Sequence, residues 1–481
     1  RDGLPPSAAT PNTAAVSETS DVGPTITRVQ SADRPNRHAS IIPPLRPGRL
    51  AGPVVALSFV LLAIVAAIFD HAPPPGRSAV GTHGPEPPVV FVGSFSNLVN
   101  ARTPDPVAEG LRDAVAADLA AFPEFSVATV HNARPPPASA LFLTGVMRPV
   151  AGGIEISLLL SPRVGGAATW TTTVEASFDD TNLERGLADA ARRLVSPIAA
   201  FNGPLLAGGR AWFAAQREVE DQPTPFACLL RFRVAGTSGS AIDHGRAALC
   251  FERLLARNPR DGDALALSAW YTARRALQQA APGDNLLLAL RPASDMARAA
   301  LALAPGSALA QAMAGRALSM AGQDEAARRA LIAALSLSPA NLDVRAAYAW
   351  VLGTSGEWHT AEAEAGAALT AAPGAPPWYH AVPSLGAYRR GDYVRAADEA
   401  LAFSRADDLM APIFAVAAGA RAHRGDLVNR FTGHLLADPV YRRSGIIAPL
   451  ALRLHDTQLL HDIADGLSLA GVPQASIWGS F

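Results

Sequence analysis

The hydrophobic rhythm of the chain changes three times. Residues 1–49 are rich in Pro, Ser, Ala, Thr and Arg and carry no sustained apolar period. Such a segment buries too little surface to offset its ordering entropy, so it reads as disordered. Residues 50–69 form an uninterrupted run of twenty residues without a charge. At about 1.5 Å per residue, that run matches the roughly 30 Å hydrocarbon core of a bilayer, which predicts a single transmembrane helix. A Pro/Gly-rich tether over 70–88 follows. Next come short apolar and alternating stretches at 89–92, 125–130, 140–150, 154–158 and 168–176, several bounded by turn residues such as Gly152-Gly153. These predict strands. Between the first two, Val107, Leu111, Val115 and Leu119 repeat every fourth residue, the mark of one helical face over 106–122. A second amphipathic stretch at 181–199 closes the unit. The sum is a mixed sheet of about five strands carrying two helices, over residues 89–202. From 204 to 481 the period is helical throughout.

Punctuation within 204–481 recurs at a fixed interval. Pro305, Pro339 and Pro373 are 34 residues apart, and Gly322, Gly356, Gly391 and Gly425 are separated by 34, 35 and 34. A helix–turn–helix period of this length resembles the tetratricopeptide (TPR) repeat. With Ala308, Leu342, Pro377 and Ala411 as first positions, the eighth positions are Gly315, Ala349, Ser384 and Ala418. Only small side chains let paired helices approach closely there. Ala327, Ala361 and Ala396, then Ala334 and Ala368, do the same on the second helices, and the prolines stop each second helix. Upstream, residues 251–259 read as another repeat end. Pro259 to Pro305 spans 46 residues, one period plus a twelve-residue insertion around 281–291. Pro383 falls inside a first helix and is expected to kink it or delay its start. Beyond Gly425 the pattern degrades towards a terminal cap, as solenoids require.

The sheet unit also carries a resemblance. The run Ala108-Glu109-Gly110-Leu111 opens its first helix, and Leu119 then Phe122-Pro123-Glu124-Phe125-Ser126-Val127 lead into the second strand. Leu143-Thr144-Gly145, the Gly152-Gly153 turn and Trp170 follow. Over residues 88–202 this order resembles the TolB amino-terminal-like domain of bacterial membrane proteins, which precedes TPR repeats and carries no catalytic residues. The first strand departs from that family's Leu-Pro-Phe-like run, having Gly93-Ser94-Phe95 instead. The expected fold class is thus α+β multidomain: a transmembrane helix, a small mixed α/β sheet domain and an all-α TPR-like solenoid.

The TPR resemblance implies a binding surface. In that family the first helices line a concave groove, with positions two, five, nine, twelve and thirteen facing into it. Carried over, these positions give Arg316, Met320, Asp343, Trp350, Trp378, Tyr388, Arg389 and His423 as candidates for holding a protein or peptide partner. Aromatic and arginine side chains are the usual anchors of interfaces. The alternative is that Trp350 and Trp378 fill gaps between alanine-rich helices.

Composition narrows the chemistry. The net charge is −1, so no basic field recruits nucleic acid. All 41 Lys+Arg residues are arginine. A Walker-type phosphate loop, a Schiff base and a kinase-type ATP site all need a lysine that is missing. No G-x-S-x-G, G-x-G-x-x-G or H-E-x-x-H occurs. His455 and His461 are six apart, the wrong spacing for a helical zinc pair. Asp179-Asp180 and Asp407-Asp408 stand where helix starts are expected, suited to capping. No enzyme, metal, cofactor or small-molecule substrate is expected. Cys228 and Cys250 face each other if 225–236 and 241–258 pair as antiparallel helices, giving either a disulfide or two buried thiols.

Arg34, Arg37, Arg46 and Arg49 precede the apolar run and only Arg77 follows closely. The positive-inside rule then puts the N-terminus in the cytoplasm and the folded domains in the periplasm, anchored at an inner membrane. The leading expectation is a periplasmic scaffold binding a protein or peptide through its TPR groove. The alternative is the sensory half of a transmembrane regulator or cyclase, whose output domain would precede Arg1.

Overall fold

A computed structural model describes residues 85–99, 105–129, 140–177, 182–216, 218–279, 285–372, 374–405 and 410–479. All lie in one compact unit running from Val80 to Phe481. The expected disordered segment 1–49, the transmembrane helix over 50–69 and most of the 70–88 tether fall outside the described residues. Among the described residues no helix is long and apolar enough to cross a membrane. The longest, Gly262–Gln279 and Leu286–Leu303, have 18 residues each and are broken by charges such as Arg274, Arg275, Arg291 and Arg298. The fold class is therefore corrected to a small five-stranded sheet followed by many helices. The inner-membrane, single-pass localisation and the membrane contact through 50–69 are set aside with it.

The sheet unit runs β1 (Val89–Asn97), α1 (Pro106–Ala120), β2 (Ser126–Thr129), β3 (Leu141–Val150), β4 (Gly153–Ser161), β5 (Trp170–Ala176) and α2 (Leu183–Ala199). Strand order is β2-β1-β3-β4-β5, with β1 parallel to β2 and β3 and the last three antiparallel. The four-residue spacing works as expected, because Leu111, Val115 and Leu119 are fully buried under the sheet. The Asp105 carboxylate caps α1 by accepting from the Val107 and Ala108 amides. Gly152, at φ +93°, makes the tight β3–β4 turn. Where the chain departs from the TolB-like pattern, the β1–β3 register shifts between Val92 and Phe95. The Phe95 ring then lies over Gly145, where a Cβ would meet it at 2.5 Å.

After a short helix α3 (Ala207–Ala215), six helix pairs stack among the described residues: α4 (Pro225–Ser238) with α5 (Ala241–Arg257), α6 (Gly262–Gln279) with α7 (Leu286–Leu303), and α8 (Ala308–Met320) with α9 (Asp324–Leu337). Next are α10 (Leu342–Thr354) with α11 (Trp358–Ala371), α12 (Ala381–Arg389) with α13 (Tyr393–Phe403), and α14 (Ala411–Arg421) with α15 (Gly425–Ala437). Short helices α16 (Pro439–Ser444) and α17 (Ile447–Ala451) lead to α18 (Thr457–Leu469) and α19 (Gln474–Trp478). The chain thus carries a helical-repeat body.

Small residues make the pairs close. A Cβ on Gly315 would meet Leu331 at 3.0 Å and the Ala327 carbonyl at 3.1 Å. At the same repeat position, counted from Pro377, Ser384 donates its hydroxyl to the Ala396 carbonyl at 3.0 Å. Pro383 delays its helix: a 3-10 turn at Pro377–His380 precedes α12, which leaves the proline in the first helical turn, where its missing N–H is harmless. The insertion before Pro305 is mostly extra helix. The α6–α7 pair has 18 residues per helix against 13 and 14 in α8 and α9, absorbing nine of the twelve added residues.

Each first helix from α8 onward ends in the same turn. The amide two residues past the C-cap donates back to a carbonyl five residues earlier: Gln323 to Leu318, Glu357 to Leu352, Asp392 to Ala387 and Arg424 to Gly419. This Schellman geometry needs a left-handed residue between. Gly322, Gly356 and Gly391 supply it, but the fourth turn uses His423 at φ +56°.

The sheet unit and solenoid share a continuous core. Leu205, Leu206, Phe226, Leu230 and Ala340 belong to the same apolar cluster as the sheet. Polar contacts pin the two together: Ser196 donates to the Ala340 carbonyl at 2.9 Å and Asn202 to the Gly374 carbonyl at 2.6 Å.

Candidate binding groove

The ninth residues of the first four first helices are Arg233, Trp270, Arg316 and Trp350, counting from Pro225, Gly262, Ala308 and Leu342. Guanidinium and indole alternate from repeat to repeat. The first helices α6, α8 and α10 pack successively against one another, so this ladder runs across them. The Arg316 guanidinium carbon sits 4.9 Å from the Trp270 ring centroid and 4.9 Å from that of Trp378. Arg274, one helical turn beyond Trp270, lies 5.7 Å from the same indole.

Two adjoining cavities open here, of about 120 and 110 Å³. Both are lined by Trp270, Arg274, Arg316, Ala347 and Trp378. The first continues to Phe232, Arg233, His244 and Asp343, and takes Phe201 from the sheet unit as part of its wall. The second continues to Met320, Trp350 and Arg453. Five of the sequence candidates, Arg316, Met320, Asp343, Trp350 and Trp378, therefore meet at one site.

The other three lie elsewhere. Tyr388 is buried and donates its hydroxyl to the Asp462 carbonyl of α18 at 2.7 Å. Arg389 pairs through Nε with Asp456 at 3.0 Å, just before α18. His423 is past the end of α14 in the Schellman turn, since that helix has only 11 residues. Helix α18 packs along α14, so the chain itself covers that downstream first helix.

The charges of the upstream site are unevenly satisfied. Arg233 is fixed between the two parts of the molecule: its Nε donates to Glu124 at 3.0 Å, and it also pairs with Asp343. Glu124 is only 1% exposed, and Asp343 also accepts from the Tyr379 hydroxyl at 2.8 Å. Arg274 and Arg316, by contrast, have ring contacts but no carboxylate partner among the described residues. Desolvation, with Arg274 and Arg233 adding repulsion, lowers Arg316 to about 10, still protonated at neutral pH. Burial first, then Arg274 and Arg316, push His244 down to about 3 and hold it neutral. Its Nδ1 lies 3.4 Å from the Tyr271 hydroxyl. The local field is positive.

Cys228 on α4 and Cys250 on α5 are joined as a disulfide, with Cα atoms 5.4 Å apart, behind the wall that carries Phe232, Arg233 and His244. Among the described residues no cluster of His, Cys, Asp and Glu is arranged to hold a metal ion.

No family model matches this chain, and no curated protein matches it. One similar solved structure is that of Naa15/Naa10 bound to HypK-THB, at 17% identity and a TM-score of 0.24. The match covers 51% of this chain and 36% of that one. A likeness at this level carries no argument about fold or function.

Proposed function

We propose that this chain is a non-catalytic scaffold that binds a protein or peptide partner through the upstream concave groove of its helical repeats. The observation carrying this reading is the convergence of Trp270, Arg274, Arg316, Trp350 and Trp378 on two adjoining cavities. Large aromatic and arginine side chains gathered in one recess are what interface anchors look like. Whole small-molecule ligand sites run to about 300–1,000 Å³, whereas these recesses suit individual side chains of a larger partner. We also propose that the sheet unit is kin to the TolB amino-terminal-like domain, supported by its five strands and two helices in the expected order.

A photo-crosslinking amino acid at Met320, in the groove, tests the scaffold reading against the same group at Glu325, an exposed position at the start of α9. A discrete adduct at position 320, absent at 325 and lost on Trp378→Ala, is the expected result. The same adducts at both positions, or none at 320, would sink the reading.

A further inference from the structure

Downstream, at the end of α12 and the start of α11, the chain itself supplies an acid to an arginine and an indole. One carboxylate oxygen of Asp456 accepts from Arg389 Nε at 3.0 Å and from Trp358 Nε1 at 3.0 Å. The other caps α18 by accepting from the Leu459 amide at 3.0 Å. Leu459, three residues after the acid, is fully buried in the core. One acidic side chain thus engages an arginine and an indole together, and the apolar residue that follows it is buried in the same core cluster as the indole.

Upstream, the same residue types stand without that occupant. Arg274 and Arg316 lie against Trp270 and Trp378, and no described carboxylate pairs with either guanidinium. We propose that this pocket binds an acidic segment of a protein partner. An Asp or Glu carboxylate is taken by Arg274 and Arg316, and a neighbouring apolar side chain lies against Trp270 and Trp378. The proposal deepens the scaffold reading above and rests on it.

Four physical points favour this occupant. A guanidinium offers planar, paired donors that match a carboxylate, and charge-assisted bonds strengthen where water is partly excluded. Two like charges held in one recess repel, so an anion between them relieves the free protein's own penalty. His244 stays neutral and adds no competing charge. A phosphate dianion carries more charge into walls of Trp, Met and Ala, with a correspondingly larger desolvation penalty.

Random peptides displayed on phage are panned against the full chain. Enriched sequences are then synthesised and titrated by fluorescence polarisation against the wild type, Arg274→Gln, Arg316→Gln and Trp378→Ala. The expected result is enrichment of Asp or Glu with a Leu or Phe within one helical turn. Each arginine variant should weaken binding about tenfold or more, the range for a hydrogen bond to a charged group. Raised salt should weaken binding while thermal unfolding stays unchanged. Enriched peptides without acidic residues, or acidic ones indifferent to both arginine variants, would overturn the proposal. So would a phosphoserine peptide binding more than about tenfold tighter than its glutamate counterpart. Non-acidic peptides that still depend on Trp378 would leave the scaffold reading standing and remove only this inference. Failure to select any groove-dependent peptide would remove both.

Discussion

Two arginine-and-indole sites, one upstream in the groove and one downstream at the end of α12 and the start of α11, end in opposite states. Downstream, Arg389, Trp358 and Tyr388 are each engaged by the α18 region, through Asp456 and the Asp462 carbonyl. Burial works against the Asp456 charge, but the Leu459 amide, Arg389 and Trp358 outweigh it and hold its pKa below the ordinary value. Upstream, Arg274 and Arg316 keep their charge beside indoles with no described acid to answer it. On the proposed reading the contrast separates two uses of the same residue types: a residue that completes the fold has its partner within the chain, while one that serves binding is left unanswered. Residue identity alone does not distinguish them. What lies opposite does.

That contrast can be broken most sharply at Trp358, which is 5% exposed and anchors Asp456. Trp358→Ala should destabilise by about 3–5 kcal/mol, measured by chemical denaturation, and release α18. An unchanged midpoint would mean that the downstream site is not self-filled. Replacing Cys228 and Cys250 by serine should remove about 3 kcal/mol. In hydrogen exchange the lost protection should concentrate in α4 and α5, with α14 and α18 least affected.

Acid should act on the upstream wall through His244. Its folded pKa lies near 3, below the ordinary 6.5. The unfolded chain therefore takes up the proton first, and stability is complete above pH 6.5. Stability declines as pH falls from about 6.5 towards 3, by up to about 1.4 kcal/mol per pH unit. His244→Gln should flatten that slope. Arg389→Gln should lower stability by about 1 kcal/mol, as expected for a half-exposed pair. Arg274→Gln should change it by less than about half that, since it breaks no described ion pair. Equal losses in the two variants would erase the distinction between the two sites. The smallest effect is expected at the fourth turn: His423→Gly should raise stability by up to about 1 kcal/mol, the left-handed strain relieved less the entropy gained by the unfolded chain.

Much of the fold was legible because each signal was local. The 34-residue interval placed first helices at Ala308, Leu342 and Ala411, where the structure starts them. Gly152-Gly153 marked a hairpin whose φ only glycine accepts readily. The site was half legible. Arg316, Trp350 and Trp378 came from the repeat register, but Arg233, Trp270 and Arg274 did not. The reason is length: counting back 34 residues from Ala308 reaches Arg274, whereas α6 begins at Gly262, 46 residues back. The insertion had been expected near 281–291, but most of it is extra helical turns on either side, which carry no break in apolar period to betray them. His423 was misplaced for the converse reason. Helix α14 is shorter than α8, so its thirteenth position falls in the turn and the left-handed residue stands at 423, not at Gly425. The occupancy of the downstream site was invisible, since nothing in the repeat period says where residues 456–469 return.

The Glu124–Arg233–Asp343 relay bears on how this protein is dissected. Glu124 belongs to the sheet unit, Arg233 to the first helix pair and Asp343 to the start of α10. A cut near residue 203, at the apparent junction of the two folds, removes the one acid while leaving the other. It also strips Leu205, Leu206, Phe226 and Leu230 of their apolar cover. Loss of the buried acid leaves Arg233 less neutralised, adding a third repelling cation to a wall already short of anions. The helical repeats expressed alone would therefore misreport the affinity of the groove, and the shortest fragment worth studying begins before β1.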